Sequence, residues 1–158
     1  MISEDLLNSL LRRLIIRSFP SLRRHAILIQ WGTQDELLSY SVNGLERLIT
    51  VSHCLKEARR SALEGGIVHE LCHIESELLL GPYQRHLAWE RYSRSRWCRV
   101  REERSVEARA IELGFRNELL ELIQFTRRLG FTFDREHGLS YAEVLRPELL
   151  KKRTGGRH

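Results

Sequence analysis

Two histidines four residues apart, His69 and His73, lie in the run Ile67-Val-His-Glu-Leu-Cys-His-Ile-Glu75, with Glu70 directly after the first. Residues four apart share one face of an α-helix, so both imidazoles would project at a spacing that suits one metal ion. Glu70 would then lie where its carboxylate reaches a water on that metal. Bulky apolar residues on both sides of the motif predict a buried helix. The alternative is a helix with two unrelated histidines.

A third ligand has to come from elsewhere, because a catalytic zinc site generally has three protein ligands and one open position. Glu103 and Glu107 lie four apart, with Glu103 thirty residues past His73. Glu103 is the candidate ligand, and Glu107, one turn later, could accept the free ring N–H of a ligating histidine. The alternative is that both glutamates pair with nearby arginines, Arg99 and Arg104.

The length of 158 residues predicts one domain. Apolar runs are too short to cross a bilayer, and the acidic N-terminus lacks a cleavable apolar stretch, so we expect a cytoplasmic protein without a membrane partner. The three cysteines, Cys54, Cys72 and Cys98, are odd in number and form no C-x-x-C pair. This argues against a disulfide framework and against a cysteine-rich zinc knuckle. Cys72, inside the histidine motif, is predicted to be a small core residue.

The net charge of +5 comes mostly from arginine, and Arg91–Arg101 concentrates five arginines together with Tyr92 and Trp97. Such a strip could follow a phosphate backbone. The alternative is a basic loop leading into a helix, which we favour at this stage because no recognised nucleic-acid module surrounds the strip.

Periodicity and turn residues predict an α+β domain in the order helix, three strands, then helices. The Asn43-Gly44 pair is a strong signal for a β-hairpin between the second and third strands. The expected helices are Ser3–Phe19, Glu102–Leu113, Asn117–Leu129 (with Asn117 as N-cap) and Tyr141–Lys152 (broken at Pro147), and the expected strands are His25–Trp31, Leu37–Val42 and Leu45–Ser52.

The helix carrying the histidines is expected to begin near Leu55 to Ala58 and to run to about Leu80, where Gly81-Pro82 ends it. Gly65-Gly66 would weaken a helix, and close backbone packing beside a site explains them best, although a helix that starts after them stays open. The stretch Tyr83–Arg99 is expected to be irregular or partly helical.

The two motifs together resemble the gluzincin metallopeptidases, whose smallest members are the minigluzincins. The family signature is H-E-x-x-H followed by E-x-x-A-D-x-x-A-x-x-x-G, and the second block here reads Glu103, Val106, Glu107, Ala110 and Gly114. It departs from the signature by Val for Ala, a mild packing change, and by Glu for Asp, which lengthens the carboxylate by one methylene. The resemblance covers about residues 48–120.

The resemblance implies a zincin-like fold, which we assign to residues 1–153, and residues 154–158 are expected to form a flexible tail. It implies Zn²⁺ bound by His69, His73 and Glu103, Glu70 as general base, and an edge strand that holds a substrate extended. It also suggests that the segment from Tyr141 onward folds back over the cleft. His86, His137 and Tyr141 are open candidates for stabilising the oxyanion.

The leading hypothesis is a zinc-dependent endopeptidase that cleaves a peptide or protein substrate. A second hypothesis is a SprT-like, DNA-associated metalloprotease, which would bind DNA through Arg91–Arg101 and take a third histidine, for which His86 is the nearby candidate. A third is a non-catalytic regulatory domain that keeps the metal as a structural clip, and four protein ligands would be typical of that case.

Overall fold

The computed structural model describes residues 2–33, 36–130 and 138–148. They form an α+β fold in the predicted order, an N-terminal helix, a three-stranded sheet and then helices. The helices are α1 (Glu4–Ser18), α2 (Arg60–Leu78), α3 (Pro82–Arg94), α4 (Arg96–Glu112), α5 (Arg116–Arg128) and α6 (Tyr141–Leu145), and the strands are β1 (Ala26–Gly32), β2 (Leu38–Asn43) and β3 (Glu46–Ser52).

The sheet has the order β1-β3-β2, so the last strand in sequence lies in the middle. β3 pairs parallel with β1 and antiparallel with β2. The pair Asn43 and Glu46 closes a tight turn in which Gly44 has a φ of 61°, a conformation that glycine adopts at little cost. The predicted β-hairpin is therefore confirmed, and β2 lies at the edge of the sheet that the described residues form.

The core lies between the sheet and helices α1, α2 and α5. At Gly65, α2 approaches α5 so closely that a Cβ would lie 2.6 Å from the carbonyl carbon of Glu118. At Gly66 a Cβ would lie 2.5 Å from the Leu38 side chain on β2. Both glycines are inside α2, so the expectation of close packing is confirmed and the alternative of a later helix start is wrong.

Several element boundaries differ from the prediction. A short 3-10 turn occupies His53–Glu57, and α2 begins only after the extended residues Ala58 and Arg59. The N-cap of α5 is Phe115, so the assignment of Asn117 as N-cap is wrong.

The stretch expected to be irregular or partly helical, Tyr83–Arg99, is helical on both sides of Ser95. Pro82 occupies the first turn of α3, where its missing N–H costs nothing. Ser95 ends α3 and caps α4, because its hydroxyl accepts from the backbone N–H of Cys98. The expected basic loop is therefore two helices that meet at a serine.

The three cysteines are free, and Cys72 is buried, as predicted for a core residue. Burial raises the pKa of its thiol to about 12. Within residues 2–33, 36–130 and 138–148, no helix combines the length and the apolar character needed to span a membrane. The predicted tail at 154–158 and the end of the last expected helix lie outside the described residues.

Candidate metal centre

Helix α2 presents the two histidines on one face. The centroids of the His69 and His73 rings are 4.9 Å apart, with the rings edge to face, as expected for neighbours one helical turn apart. The ring of Tyr40, on the edge strand β2, stacks on His73 with the centroids 6.2 Å apart. The contacts of His73 with His69 and with Tyr40 thus restrict the orientation of its imidazole.

Helix α4 brings Glu103 to the same point. Its Oε2 atom lies 3.1 Å from Nε2 of His69 and 3.4 Å from Nε2 of His73. One nitrogen from each histidine and one carboxylate oxygen lie within 4.8 Å of one another. Among the residues that the structure describes, this is the group of histidine, cysteine and acidic side chains that converges closely enough to hold a metal ion.

Tyr92 on α3 fixes the other oxygen of Glu103. Its hydroxyl donates to Oε1 at 2.6 Å, which leaves Oε2 to face the histidines. Burial and the nearby Glu103 charge raise the pKa of Tyr92 well above its usual value, so the hydroxyl keeps the proton that it donates.

The electrostatics of the group favour a negatively charged Glu103 and a positively charged His69. Burial alone would raise the pKa of Glu103, but hydrogen bonds from His69 and His73 outweigh it and hold that pKa well below its usual range. Burial would lower the pKa of His69, but the bond and charge of Glu103 raise it to about 9. A metal cation at the centre would replace the proton on the His69 ring as the positive partner of Glu103, since a ligating imidazole is neutral.

Glu70 is buried beside this group and lines a cavity of about 270 Å³. Burial raises the pKa of its carboxyl, and the nearby histidines oppose the rise. Most of the other lining side chains are apolar and come from the stretch before β2, from β2 itself, and from α5 and α6: Leu37, Leu38, Leu119, Leu122, Ile123 and Val144. The cavity is thus lined by one imidazole, His69, by three carboxyls, Glu36, Glu70 and Glu107, and by an apolar surface.

Glu107 lies one turn beyond Glu103 and is also buried. Its carboxylate accepts the backbone N–H of Leu139, and a Cβ at Gly138 would collide with it. Burial raises the pKa of Glu107 to about 7, and the His69 charge and the Leu139 N–H oppose this rise. The described contact of Glu107 therefore ties α4 to the segment before α6, and a bond from Glu107 to a histidine stays a prediction.

Arg104 makes the second connection between α4 and that segment. Its guanidinium donates to both carboxylate oxygens of Glu143, at 3.2 and 2.8 Å, and to the carbonyl of Gly138 at 3.0 Å. The suggestion that Arg104 pairs with Glu103 or Glu107 is thus not what the structure has. Arg99 lies over the Tyr92 ring instead, 5.6 Å from its centroid.

Two of the three candidates for stabilising the oxyanion, His86 and Tyr141, lie in the described part of the chain. His86 is exposed on α3 and is not part of the convergent group, and His137 falls outside the described residues. The Tyr141 hydroxyl accepts from the Gln124 side chain. Sequence reasoning missed Tyr40 and Tyr92, since their contacts join different elements and follow no fixed spacing.

The donor set fits a divalent metal of the zinc type. Two imidazole nitrogens and one carboxylate oxygen are the ligands of many catalytic zinc sites, and three protein ligands leave a position open for water. Comparison of the chain with family models, with curated proteins and with solved structures finds no match. Function is therefore inferred from the geometry of the site and from the two motifs.

Proposed function

We propose that the protein is a zinc-dependent endopeptidase. The observation that carries this proposal is the convergence of His69, His73 and Glu103 beside the buried carboxyl of Glu70, at the wall of a cavity that an edge strand borders. Three ligands support a catalytic site over a structural clip, which would take four. Glu103, rather than the exposed His86, supports the gluzincin-type ligand set over the SprT-like one.

When bound, zinc would polarise the scissile carbonyl and lower the pKa of a bound water toward neutrality. Glu70 would accept the proton of that water and pass it to the leaving amine, a role that contributes about two to four orders of magnitude in rate. Tyr92 would hold the Glu103 carboxylate with one oxygen turned toward the histidines.

Substrate binding would use the edge strand β2. An edge strand exposes unpaired backbone donors and acceptors, to which an extended peptide can add as a further strand. Leu37 and Leu38 line the cavity at the start of this strand, so a peptide placed along β2 would pass the site with a side chain directed into the apolar cavity. We expect the enzyme to prefer peptides with an apolar residue at that position.

Metal content and peptide cleavage of two variants test the proposal. We expect about one zinc per chain in the parent, measured by mass spectrometry. Glu70→Gln should keep the metal and lose cleavage of casein by at least about a hundredfold, because it removes a proton acceptor and leaves the ligands. His69→Ala should lose both metal and activity.

Two variants with equivalent chemical changes at exposed positions serve as controls. Glu57→Gln and His25→Ala should match the parent in zinc content and in cleavage rate. Full cleavage by Glu70→Gln, or stoichiometric zinc in His69→Ala, would overturn the proposal.

A further inference from the structure

Helix α3 and the start of α4 form a strongly basic stretch, residues 82–101, which we call the basic helical hairpin. This segment holds six of the 26 basic residues and one of the 21 acidic residues, so its net charge of +5 equals that of the whole chain. The rest of the chain is balanced, with twenty residues of each sign. Residues 12–24 carry the same net charge, with five arginines and no acidic residue, but they contain no tyrosine or tryptophan. The basic helical hairpin is therefore distinguished by its combination of charge and aromatic rings.

The same segment concentrates exposed aromatic rings. It holds two of the three tryptophans and two of the four tyrosines. The exposed fractions of Tyr83, Trp89 and Trp97 are 74%, 66% and 68%. Large apolar rings exposed together on one segment mark an interaction surface more often than rings scattered singly.

Arginines and aromatic rings alternate within the basic helical hairpin. Trp89 and Tyr92 stack with their planes 14° apart, and the Arg99 guanidinium lies over the Tyr92 ring. The Arg101 guanidinium lies 5.5 Å from the centroid of Trp97. Flat apolar surfaces are thus placed directly beside positive charges.

Helix α3 buries no face against the core. None of its thirteen residues is buried, and its main contact is with α4. A helix that buries no face in a core gains little stability from the domain. Among the residues that the structure describes, none covers the solvent-facing side of α3, which is therefore available to a partner.

We propose that the basic helical hairpin binds single-stranded nucleic acid. Its arginines would neutralise phosphates, and its exposed rings would provide platforms on which unpaired bases stack without sequence preference. A second copy of the chain is disfavoured, because it would place a charge of +5 against a charge of +5. An acidic protein or an anionic membrane would also neutralise the arginines, but the alternation of arginines with exposed rings matches the alternation of phosphates and bases in a single strand.

Tryptophan fluorescence provides a direct readout. In Trp31→Phe the remaining tryptophans are Trp89 and Trp97, so quenching reports on the basic helical hairpin alone. Titration with oligothymidylate of about 15 nucleotides should quench the signal with a Kd near 1 μM at about 50 mM salt. The logarithm of the affinity should fall with the logarithm of the salt concentration, with a slope of about −3 if most of the arginines contact phosphates.

Two triple variants with the same charge change locate the binding surface. Replacing Arg91, Arg94 and Arg101 with Gln should reduce the salt slope by about 2 and the affinity by about tenfold or more. The control replaces three exposed arginines outside the basic helical hairpin, Arg12, Arg17 and Arg116, and should leave the slope unchanged. Trp89→Ala should weaken binding about tenfold at constant charge.

Four outcomes would overturn the proposal: no binding below about 100 μM at low salt, equal losses in the two triple variants, equal affinity for a duplex of the same length, or equal affinity for polyglutamate or phosphatidylserine vesicles. The titrations need no metal and no substrate. A failure of the peptidase proposal therefore leaves this result interpretable, and the reverse also holds.

Discussion

The two helices that supply the candidate ligands are held in different ways. Ten of the nineteen residues of α2 are buried, whereas α4 buries three of seventeen. α2 depends on close packing against α5 and β2 at its paired glycines. α4 depends on polar contacts to its neighbours, through Tyr92, Leu139 and Glu143. The position of the histidines should therefore be sensitive to added volume, and the position of Glu103 to changes in charge and hydrogen bonding.

The largest effect that we expect on the polar side comes from acid. Hydrogen bonds from Arg104 lower the pKa of Glu143 to about 2 from an ordinary value of 4.5, against the opposing effect of burial. A carboxyl with a lowered folded pKa contributes stability above its unfolded pKa and loses it as the pH falls through the folded value. The free energy of unfolding should therefore drop by about 3 kcal/mol between about pH 5 and pH 2 on account of this group.

We expect this part of the acid dependence to be absent from Glu143→Gln when its free energy of unfolding is measured with denaturant across the same pH range. The control is Glu112→Gln, because Glu112 is paired with an arginine on the same helix but is exposed. The free energy of unfolding of Glu112→Gln should depend on pH as that of the parent does. If Glu143→Gln keeps the full dependence, the Arg104 contact does not stabilise α4.

On the packing side, Gly65→Ala should destabilise the protein by about 2 kcal/mol or more, because the new methyl group meets the backbone of α5 and cannot be accommodated by a rotamer change. Gly66→Ala provides the matched control. Its methyl group meets the mobile end of Leu38, and alanine also favours the helix, so its effect should stay within about 1 kcal/mol. Equal losses in thermal or denaturant unfolding would contradict this account of the two glycines.

The smallest effect concerns the hydrogen bond on Glu103. Tyr92→Phe should raise the Kd for zinc about tenfold, since a group that orients a ligand typically contributes ten- to a hundredfold in affinity. Competition with a chromophoric chelator measures this value without any need for activity. Tyr83→Phe removes a hydroxyl from an exposed tyrosine of the same helix and should leave the Kd unchanged. An unchanged Kd in Tyr92→Phe would show that Glu103 needs no support from α3.

The features that the sequence predicts correctly are those set by a local physical rule. Four-residue spacing places His69 and His73 side by side on α2, and Asn43-Gly44 sets the β-hairpin. Paired glycines predicted a close approach, although not the element that approaches. Each of these features is decided within a few residues by backbone geometry.

Other features could not be predicted, because they depend on residues distant in sequence or leave no trace in the apolar pattern. α3 has no buried face, so no hydrophobic periodicity could reveal it. The bonds from Tyr92 to Glu103 and from Arg104 to Glu143 join separate elements, and no spacing rule links these residues. The glutamate motif identified a candidate ligand but not the contacts that orient it.

Tyr92 belongs both to the basic helical hairpin and to the hydrogen bond on Glu103. Any ligand of that surface that shifts α3 would alter the energy of this bond, and thermodynamic linkage makes the influence reciprocal. The factor by which such a ligand changes zinc affinity must equal the factor by which zinc changes affinity for that ligand. The Tyr92 hydroxyl could thus couple binding of a ligand at the basic helical hairpin to binding of metal at the candidate metal centre.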